Sequence, residues 1–138
     1  MTTRRFAYRL APRSWPVLRI FGVAGPEDAW VDLDESTLTA RFGWATATTP
    51  VANIARWRIE GPWRWITAIG IRRSIRHQDL TFGGSPHGGV RLDFLVPIRV
   101  LRLRTPALYL TVDDLDGLAA ALAARGIPGV DARRTSGT

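Results

Sequence analysis

The side chains that could act as metal ligands, bases or nucleophiles are few and lie far apart in the sequence. The two histidines, His77 and His87, have no Cys, Asp or Glu at the spacing of a metal-binding motif. Asp79 lies two residues after His77, a spacing typical of a solvated pair rather than of a catalytic one. The chain has no cysteine, which excludes disulfides, thiolate metal sites and cysteine nucleophiles. We therefore predict no metal, no cofactor and no catalytic residue, and a protein that is not an enzyme.

Two further patterns resemble ligand sites but have structural explanations. The glycine pairs at 83–84 and 88–89 could cradle a phosphate, but the strand–loop–helix order and the lysine of a phosphate-binding loop are missing. They predict a hairpin connection instead.

Asp113, Asp114 and Asp116 could suggest a calcium site, but the other oxygen ligands of a calcium loop are missing. These aspartates precede an apolar helical pattern, with Asp113 at the predicted N-cap.

Positive charge is the strongest functional signal in the sequence. The formal net charge is +7, and all 19 basic residues are arginine. Residues 54–76 contain six arginines against one glutamate, Glu60, which gives this segment a net charge of +5. Arginine forks match phosphate and carboxylate groups, so the composition favours an anionic partner. The predicted contact residues are Arg56, Arg58, Trp63, Arg64, Trp65, Arg72, Arg73 and Arg76.

Two tryptophans, Trp63 and Trp65, flank Arg64 inside this basic segment. A tryptophan commonly covers a core with its indole N–H bonded, and that interpretation stands beside an exposed binding surface. Tryptophan together with arginine and isoleucine is also the composition of contacts with membranes and polyanions.

The elements that would position these residues are mostly strands. Residues 37–44 (TLTARFGW) alternate between polar and apolar side chains, which predicts a strand with Trp44 on its inward side. Residues 55–60 (ARWRIE) repeat the pattern and predict Trp57 inward, with Arg56 and Arg58 outward. Residues 97–106, bounded by prolines, are predicted to be a basic loop or edge.

The C-terminal helix is the best-defined element. Leu115, Leu118 and Leu122 lie at helical spacing on one side, and Gly126 occupies the predicted C′ position before Pro128. We expect this apolar stripe to cover the open end of a curved sheet.

A run of antiparallel strands closed by one helix defines the predicted fold. The stretches TLTARFG, TPVANIARWRI and ALYLTVDDLDGLAAALAARG resemble, in that order, bacterial domains of the pleckstrin-homology (PH)-like fold. The chain also resembles small uncharacterised actinobacterial proteins that carry GPWRW, DLTFG and LTVDDLDGLAAAL. The resemblance implies a mainly β (α+β) fold, an antiparallel PH-like barrel or half-barrel capped by one C-terminal α-helix. We predict a single domain over residues 1–130 and a flexible tail over residues 131–138.

These observations predict a non-enzymatic PH-like binding module. It would dock to an anionic membrane surface or to an acidic protein partner through the Arg/Trp-rich face. Two alternatives stay open: a single-stranded nucleic-acid binding protein, and an oligomerising structural or interaction domain with no small ligand. No stretch reaches the roughly 18 apolar residues of a membrane span. The predicted location is cytoplasmic, with peripheral association at the inner face of the membrane if lipid is the partner.

Overall fold

The first sheet is an antiparallel meander in which each strand pairs with the next. In a computed structural model, the chain is described over residues 3–61, 69–73 and 79–133. The strand order of the first sheet is β1-β2-β3-β4. Its strands are β1 (Arg4–Ala7), β2 (Ala29–Leu33), β3 (Thr37–Phe42) and β4 (Ala45–Pro50). Along β3, Leu38, Ala40 and Phe42 are buried, as the period-2 pattern predicts.

The second sheet has six strands and carries most of the charged residues discussed below. Its order is β10-β5-β8-β9-β7-β6. The strands are β5 (Ile54–Glu60), β6 (Gly70–Arg73), β7 (Leu80–Gly83), β8 (Gly89–Val100), β9 (Leu103–Leu110) and β10 (Gly129–Asp131). Strand β10 pairs with β5 in parallel, and β7 pairs with β9 in parallel.

Helix α1 (Trp15–Ile20) follows β1, and helix α2 (Leu115–Ala124) connects β9 to β10. Asp114 caps α2, because its Oδ1 accepts a hydrogen bond from the backbone N–H of Gly117 at 2.8 Å. The predicted cap, Asp113, is therefore wrong by one residue; Asp113 instead pairs with Arg9 at 2.7 Å. The predicted C′ residue is confirmed, since Gly126 follows the helix with a φ of 81°.

One apolar core lies between the two sheets and α2. Phe42 of β3 is at its centre: its ring lies 5.1 Å from the ring of Tyr8 and stacks at 5.7 Å on Phe82 of β7. Leu118 and Leu122 of α2 are fully buried against the same cluster. The predicted burial of the helical stripe is thus confirmed.

The mainly β architecture with a C-terminal helix is confirmed, but the barrel is not. The described strands form two sheets rather than a closed barrel. The expectation of purely antiparallel pairing is also wrong, because two pairings are parallel. One of them arises because the chain leaves β9, passes through α2 and returns to the far edge of the sheet beside β5.

Two local expectations also differ from the structure. Trp44 was expected to face inward, but 69% of it is exposed, because Gly43 turns the chain with a φ of 58° and takes Trp44 out of the alternation of β3. The predicted tail begins inside β10, since Asp131 is the last residue of that strand and pairs with Ile59. Residues 134–138 lie outside the described residues.

Replacing Leu118 by alanine tests the packing of α2. Leu118 is fully buried, so Leu118→Ala should lower the free energy of unfolding by about 2–5 kcal/mol, from lost apolar burial and the cavity left behind. Chemical denaturation measures this loss. Ile20→Ala is the control, because Ile20 is 64% exposed and its truncation should change stability by less than about 0.5 kcal/mol. Equal losses in the two variants would contradict the packing.

The position of the helix cap is tested by two neighbouring substitutions. Asp114→Ala removes the acceptor for the Gly117 N–H and should destabilise the protein by about 1 kcal/mol. Asp113→Ala removes only an exposed ion pair with Arg9 and should have a smaller effect, about 0–0.5 kcal/mol. Urea denaturation of both variants checks the ranking, and the reverse ranking would restore Asp113 as the cap.

Candidate functional site

The predicted Arg/Trp-rich face divides between two places in the second sheet. Arg56 and Arg58 are on β5, whereas Arg72 and Arg73 are on β6. Three strands separate β5 from β6, which corresponds to roughly 19 Å at the usual strand spacing. The other four predicted contact residues lie outside the described residues: Trp63, Arg64, Trp65 and Arg76.

Strand register places one row of side chains across the whole second sheet. Directly paired residues of neighbouring strands lie on the same face of a sheet. The core residues Ile59, Leu92 and Leu108 belong to the opposite face, so we call the face of this row the outer face. From β10 to β6 the row consists of Val130, Arg58, Arg91, Tyr109, Thr81 and Arg72.

A groove of about 790 Å³ lies on this outer face, and we call it the outer groove. Three positive and three negative side chains line it: Arg56, Arg58, Arg91, Glu60, Asp79 and Asp93. Pro128 and Val130 form its apolar flank at the β10 edge, and Trp57 also lines it. Trp57 is half-buried, and its indole N–H donates to the carbonyl of Ile127 at 3.0 Å, which agrees with its predicted inward position.

Arg91 is the centre of a hydrogen-bonded network in the outer groove. Its Nη1 donates to Asp79 Oδ2 at 2.8 Å and to the hydroxyl of Tyr109 at 2.8 Å. Its Nε donates to Asp93 Oδ1 at 3.0 Å. Ala107, the small residue paired with Asp93 across β8 and β9, leaves space for these contacts on the outer face. Burial lowers the pKa of Arg91, but the hydrogen bonds to Tyr109 and Asp93 outweigh it, so the guanidinium stays charged.

Tyr109 extends the network to Glu60. The hydroxyl of Tyr109 donates to Glu60 Oε2 at 3.1 Å while it accepts from Arg91. Burial raises the pKa of Tyr109, although Arg91 opposes the shift, so the phenol keeps its proton at neutral pH. The neutral phenol of Tyr109 thus orients the carboxylate of Glu60 through this hydrogen bond.

Among the described residues, the contacts to Arg56 and Arg58 in the groove involve only their Nε atoms. Arg56 Nε donates to Asp93 Oδ2 at 3.1 Å, and Arg58 Nε lies 3.7 Å from Glu60 Oε2. Their side chains are 70% and 54% exposed. None of the described residues bonds to the Nη groups of either arginine, so these groups face solvent with donors available.

A second surface is formed where β8 and β9 continue beyond the groove as a hairpin, residues 95–104, which we call the hairpin arm. The register changes between Asp93–Ala107 and Ile98–Thr105, so four residues of β8 oppose one residue of β9. This bulge places Leu95 and Val96 in solvent, 68% and 67% exposed. Residues 97–106, predicted to be a basic loop or edge, belong instead to a paired hairpin of β8 and β9, so the loop alternative is wrong.

Asn53 attaches the bulge to the rest of the protein. Its Oδ1 accepts from the backbone N–H of Val96 at 2.9 Å, and its Nδ2 donates to the Val96 carbonyl at 2.9 Å. Asn53 Nδ2 also donates to Thr49 Oγ1 at 3.2 Å in β4. The arm is thus fixed to the first sheet at its base. Val100, the residue before the turn, is buried in the core, so the exposed apolar part of the tip is Leu101 and Leu103.

The tip of the hairpin arm is a two-residue turn without glycine. Val100 pairs with Leu103, and the turn residues Leu101 and Arg102 have φ values of 51° and 65°. Two positive φ values in a two-residue hairpin loop define a type I′ turn, which favours Asn-Gly. Leu101 is 50% exposed and Leu103 is 40% exposed.

Arginines surround these leucines. Arg99, Arg102 and Arg104 are exposed, and no described carboxylate lies within ion-pair distance of Arg99 or Arg102. From β6, Arg73 Nη2 donates to the Arg104 carbonyl at 2.9 Å, which brings one predicted contact residue to the arm. In the sequence, the alternation of arginine with apolar residues indicates this surface. The turn is not indicated, because Leu101 and Arg102 are neither glycine nor asparagine.

His87 also gains partners that are distant in sequence. It lines a small cleft with Asp113, Asp114 and Asp116 at the start of α2. Its Nε2 is 2.9 Å from the Val112 carbonyl, and burial lowers its pKa. Within the described ranges, no three His, Asp or Glu side chains are arranged to hold a metal ion. His77 lies outside the described residues.

No protein-family model, curated protein or solved structure matches the chain. The class of protein therefore has to be argued from the outer groove and the hairpin arm themselves.

Replacing Asp79 tests the network around Arg91. Asp79 is buried, so Asp79→Ala leaves Arg91 Nη1 without its charged partner and should lower the free energy of unfolding by about 2–3 kcal/mol. The exposed pair between Arg9 and Asp113 is equally short, and Asp113→Ala serves as the control with a far smaller loss. Thermal melting compares the two. A loss below about 0.5 kcal/mol in Asp79→Ala would show that the network does not stabilise the fold.

Proposed function

We propose that this chain is a non-enzymatic PH-like docking module that binds an anionic membrane surface through its hairpin arm. The observation that carries the proposal is the exposure of Leu101 and Leu103 beside Arg99 and Arg102, which have no carboxylate partner among the described residues. Among those residues, no helix has the length and apolar character needed to cross a bilayer.

The energies suit a reversible association. An arginine near an anionic bilayer contributes about 1 kcal/mol, so Arg99 and Arg102 together contribute about 2 kcal/mol. Transfer of the exposed parts of Leu101 and Leu103 into the headgroup boundary adds about 1 kcal/mol each. Exposed charges are screened beyond about 8 Å at physiological salt, so the binding should weaken as salt increases.

The backbone of the tip supports a role for its side chains. Leu101 and Arg102 occupy the two positions of a type I′ turn, where glycine and asparagine are more stable than leucine and arginine. Conformations of this kind cost about 1 kcal/mol or more per residue outside glycine and asparagine. A sequence chosen for stability alone would carry Asn-Gly here, so we infer that these side chains are retained for a contact outside the chain.

The proposed membrane contact is the hairpin arm, which one predicted contact residue, Arg73, reaches through its bond to the Arg104 carbonyl. Arg56 and Arg58 each lie beside a carboxylate in the outer groove, Asp93 and Glu60, which disfavours their contact with an extended anionic surface. A four-stranded meander, a second sheet and a closing helix support the PH-like part of the proposal at the level of element order.

The double variant Leu101→Asn/Arg102→Gly separates binding from stability. It installs the favoured type I′ sequence while it removes the apolar and cationic tip, so its melting temperature should equal or exceed that of the wild type. Co-sedimentation with phosphatidylcholine vesicles containing phosphatidylserine should fall at least about fivefold, from the lost leucine and one arginine. Vesicles of phosphatidylcholine alone should bind neither protein.

The matched control is Arg19→Gln/Ile20→Asn, which removes one exposed arginine and one exposed apolar side chain at the end of α1. It should keep the wild-type vesicle affinity. Equal losses in the two double variants would mean that net charge and not the arm drives binding. Wild-type protein that ignores anionic vesicles at low salt, or that shifts a single-stranded oligonucleotide instead, would overturn the membrane proposal.

A further inference from the structure

We propose that the outer groove is a second binding site, for a small soluble phosphate monoester whose phosphate lies against Arg58 and Arg56. This site is separate from the hairpin arm and does not depend on the membrane proposal. Three features of the groove carry the inference: a cross-strand pair of like charges, two arginine forks with available donors, and an apolar flank of suitable size.

Arg58 and Arg91 are paired directly across β5 and β8 on the outer face. Like charges in this position destabilise a sheet. Arg91 is compensated by two carboxylates at 2.8 and 3.0 Å, but the nearest carboxylate of Arg58 is 3.7 Å from its Nε. Arg58, the more exposed arginine of this pair, is therefore the one whose positive charge is incompletely compensated. An anion bound at the Arg58 guanidinium would complete the compensation of its charge.

Arg56 supplies the second fork. Arg56 and Arg58 are two residues apart on the same strand face, so their Cα atoms are separated by roughly 6.6 Å. Asp93 and Glu60 contact only the Nε side of each guanidinium, which fixes the stems and directs the Nη groups away from the sheet. Two such forks match a tetrahedral dianion that accepts several hydrogen bonds at once.

The other residues that line the groove restrict the organic group to which the bound phosphate can be attached. Its volume of about 790 Å³ is in the range of small-molecule sites. The flank formed by Pro128 and Val130 is apolar, and Val130 is 58% exposed beside Arg58. Glu60 repels a second anionic group at the Tyr109 side. The arrangement therefore fits one phosphate with an apolar body attached, and it disfavours a polyanion.

Phenyl phosphate is the probe, with inorganic phosphate for comparison. Thermal melting of the wild type should show a saturable stabilisation by phenyl phosphate, with an apparent dissociation constant at least about threefold lower than that of inorganic phosphate, because the ring contacts the apolar flank. Arg58→Gln should raise the dissociation constant for phenyl phosphate about tenfold, through loss of charge-assisted hydrogen bonds. Arg99→Gln removes the same charge from the arm and should leave the constant unchanged.

Two further measurements keep the test independent of folding and of the arm. Arg58→Gln alone should melt at the wild-type temperature or above it, because it removes one member of a like-charge pair. In a nitrogen-edited NMR spectrum, phenyl phosphate should shift the side-chain Nε signals of Arg56 and Arg58 and leave that of Arg99 in place. Equal stabilisation of wild type and Arg58→Gln, or no saturable effect, would overturn the site.

Vesicle binding distinguishes a soluble phosphate monoester from a lipid headgroup as the ligand of the outer groove. Arg58→Gln should bind anionic vesicles as the wild type does, and Leu101→Asn/Arg102→Gly should keep its affinity for phenyl phosphate. Loss of vesicle binding in Arg58→Gln would overturn the assignment of the groove to a soluble ligand, since the groove would then be a headgroup site. Failure of the arm variant to affect vesicles leaves the phosphate result intact, so the two proposals fail separately.

Discussion

The structure depends on one shared apolar core, because each sheet needs the other to bury its inner face. Phe42 of the first sheet stacks on Phe82 of the second, and Tyr8 closes the contact from the side. Helix α2 completes the burial through its leucines. Once the inner faces are occupied in this way, every charged residue of the second sheet must lie on its outer face, at an edge or in the arm. The charged outer groove and the hairpin arm are consequences of that constraint.

The arginines on these surfaces form two groups. They differ in whether a carboxylate lies close enough to pair with the guanidinium group. The side chain of Arg91 is 23% exposed, is bonded to Asp79, Asp93 and Tyr109, and acts as a structural centre. Arg99 and Arg102 have no described carboxylate nearby and keep their charge available to solvent. Formal net charge therefore says little about where an anion binds. The informative quantity is the charge that remains after local pairing, and it differs between the outer groove and the hairpin arm.

The sequence predicted the elements whose patterns are local. The burial of Leu38, Ala40 and Phe42 follows from period-2 alternation, and the burial of Leu118 and Leu122 follows from helical spacing. Helix α2 also ends where Gly126 predicts. Local patterns were sufficient here because the same side chains that set the period also fill the core.

Features that depend on non-local pairing were not predictable from the sequence. The role of Arg91 is not visible in the sequence, because Asp79 and Tyr109 reach it only through the sheet register. The hairpin turn at Leu101 and Arg102 lacks the glycine or asparagine that normally marks it. Trp44 left its predicted face because one glycine with positive φ changed the direction of the chain. In each case a long-range contact or an unusual turn overrides the local pattern.

The bulge in β8 divides one long hairpin into two segments with independent registers. Below it, Asp93 remains opposite Ala107, and above it, Ile98 remains opposite Thr105. Asn53 holds the junction through hydrogen bonds to the backbone of Val96, and these bonds do not depend on the identity of any side chain of the arm. Because side chains alternate between faces, one added residue on each strand would turn Val100, which is buried in the core, toward the opposite face. The fold thus allows the two turn residues to change in sequence among descendants of this chain while the length of the arm and the charged network beneath it are inherited intact.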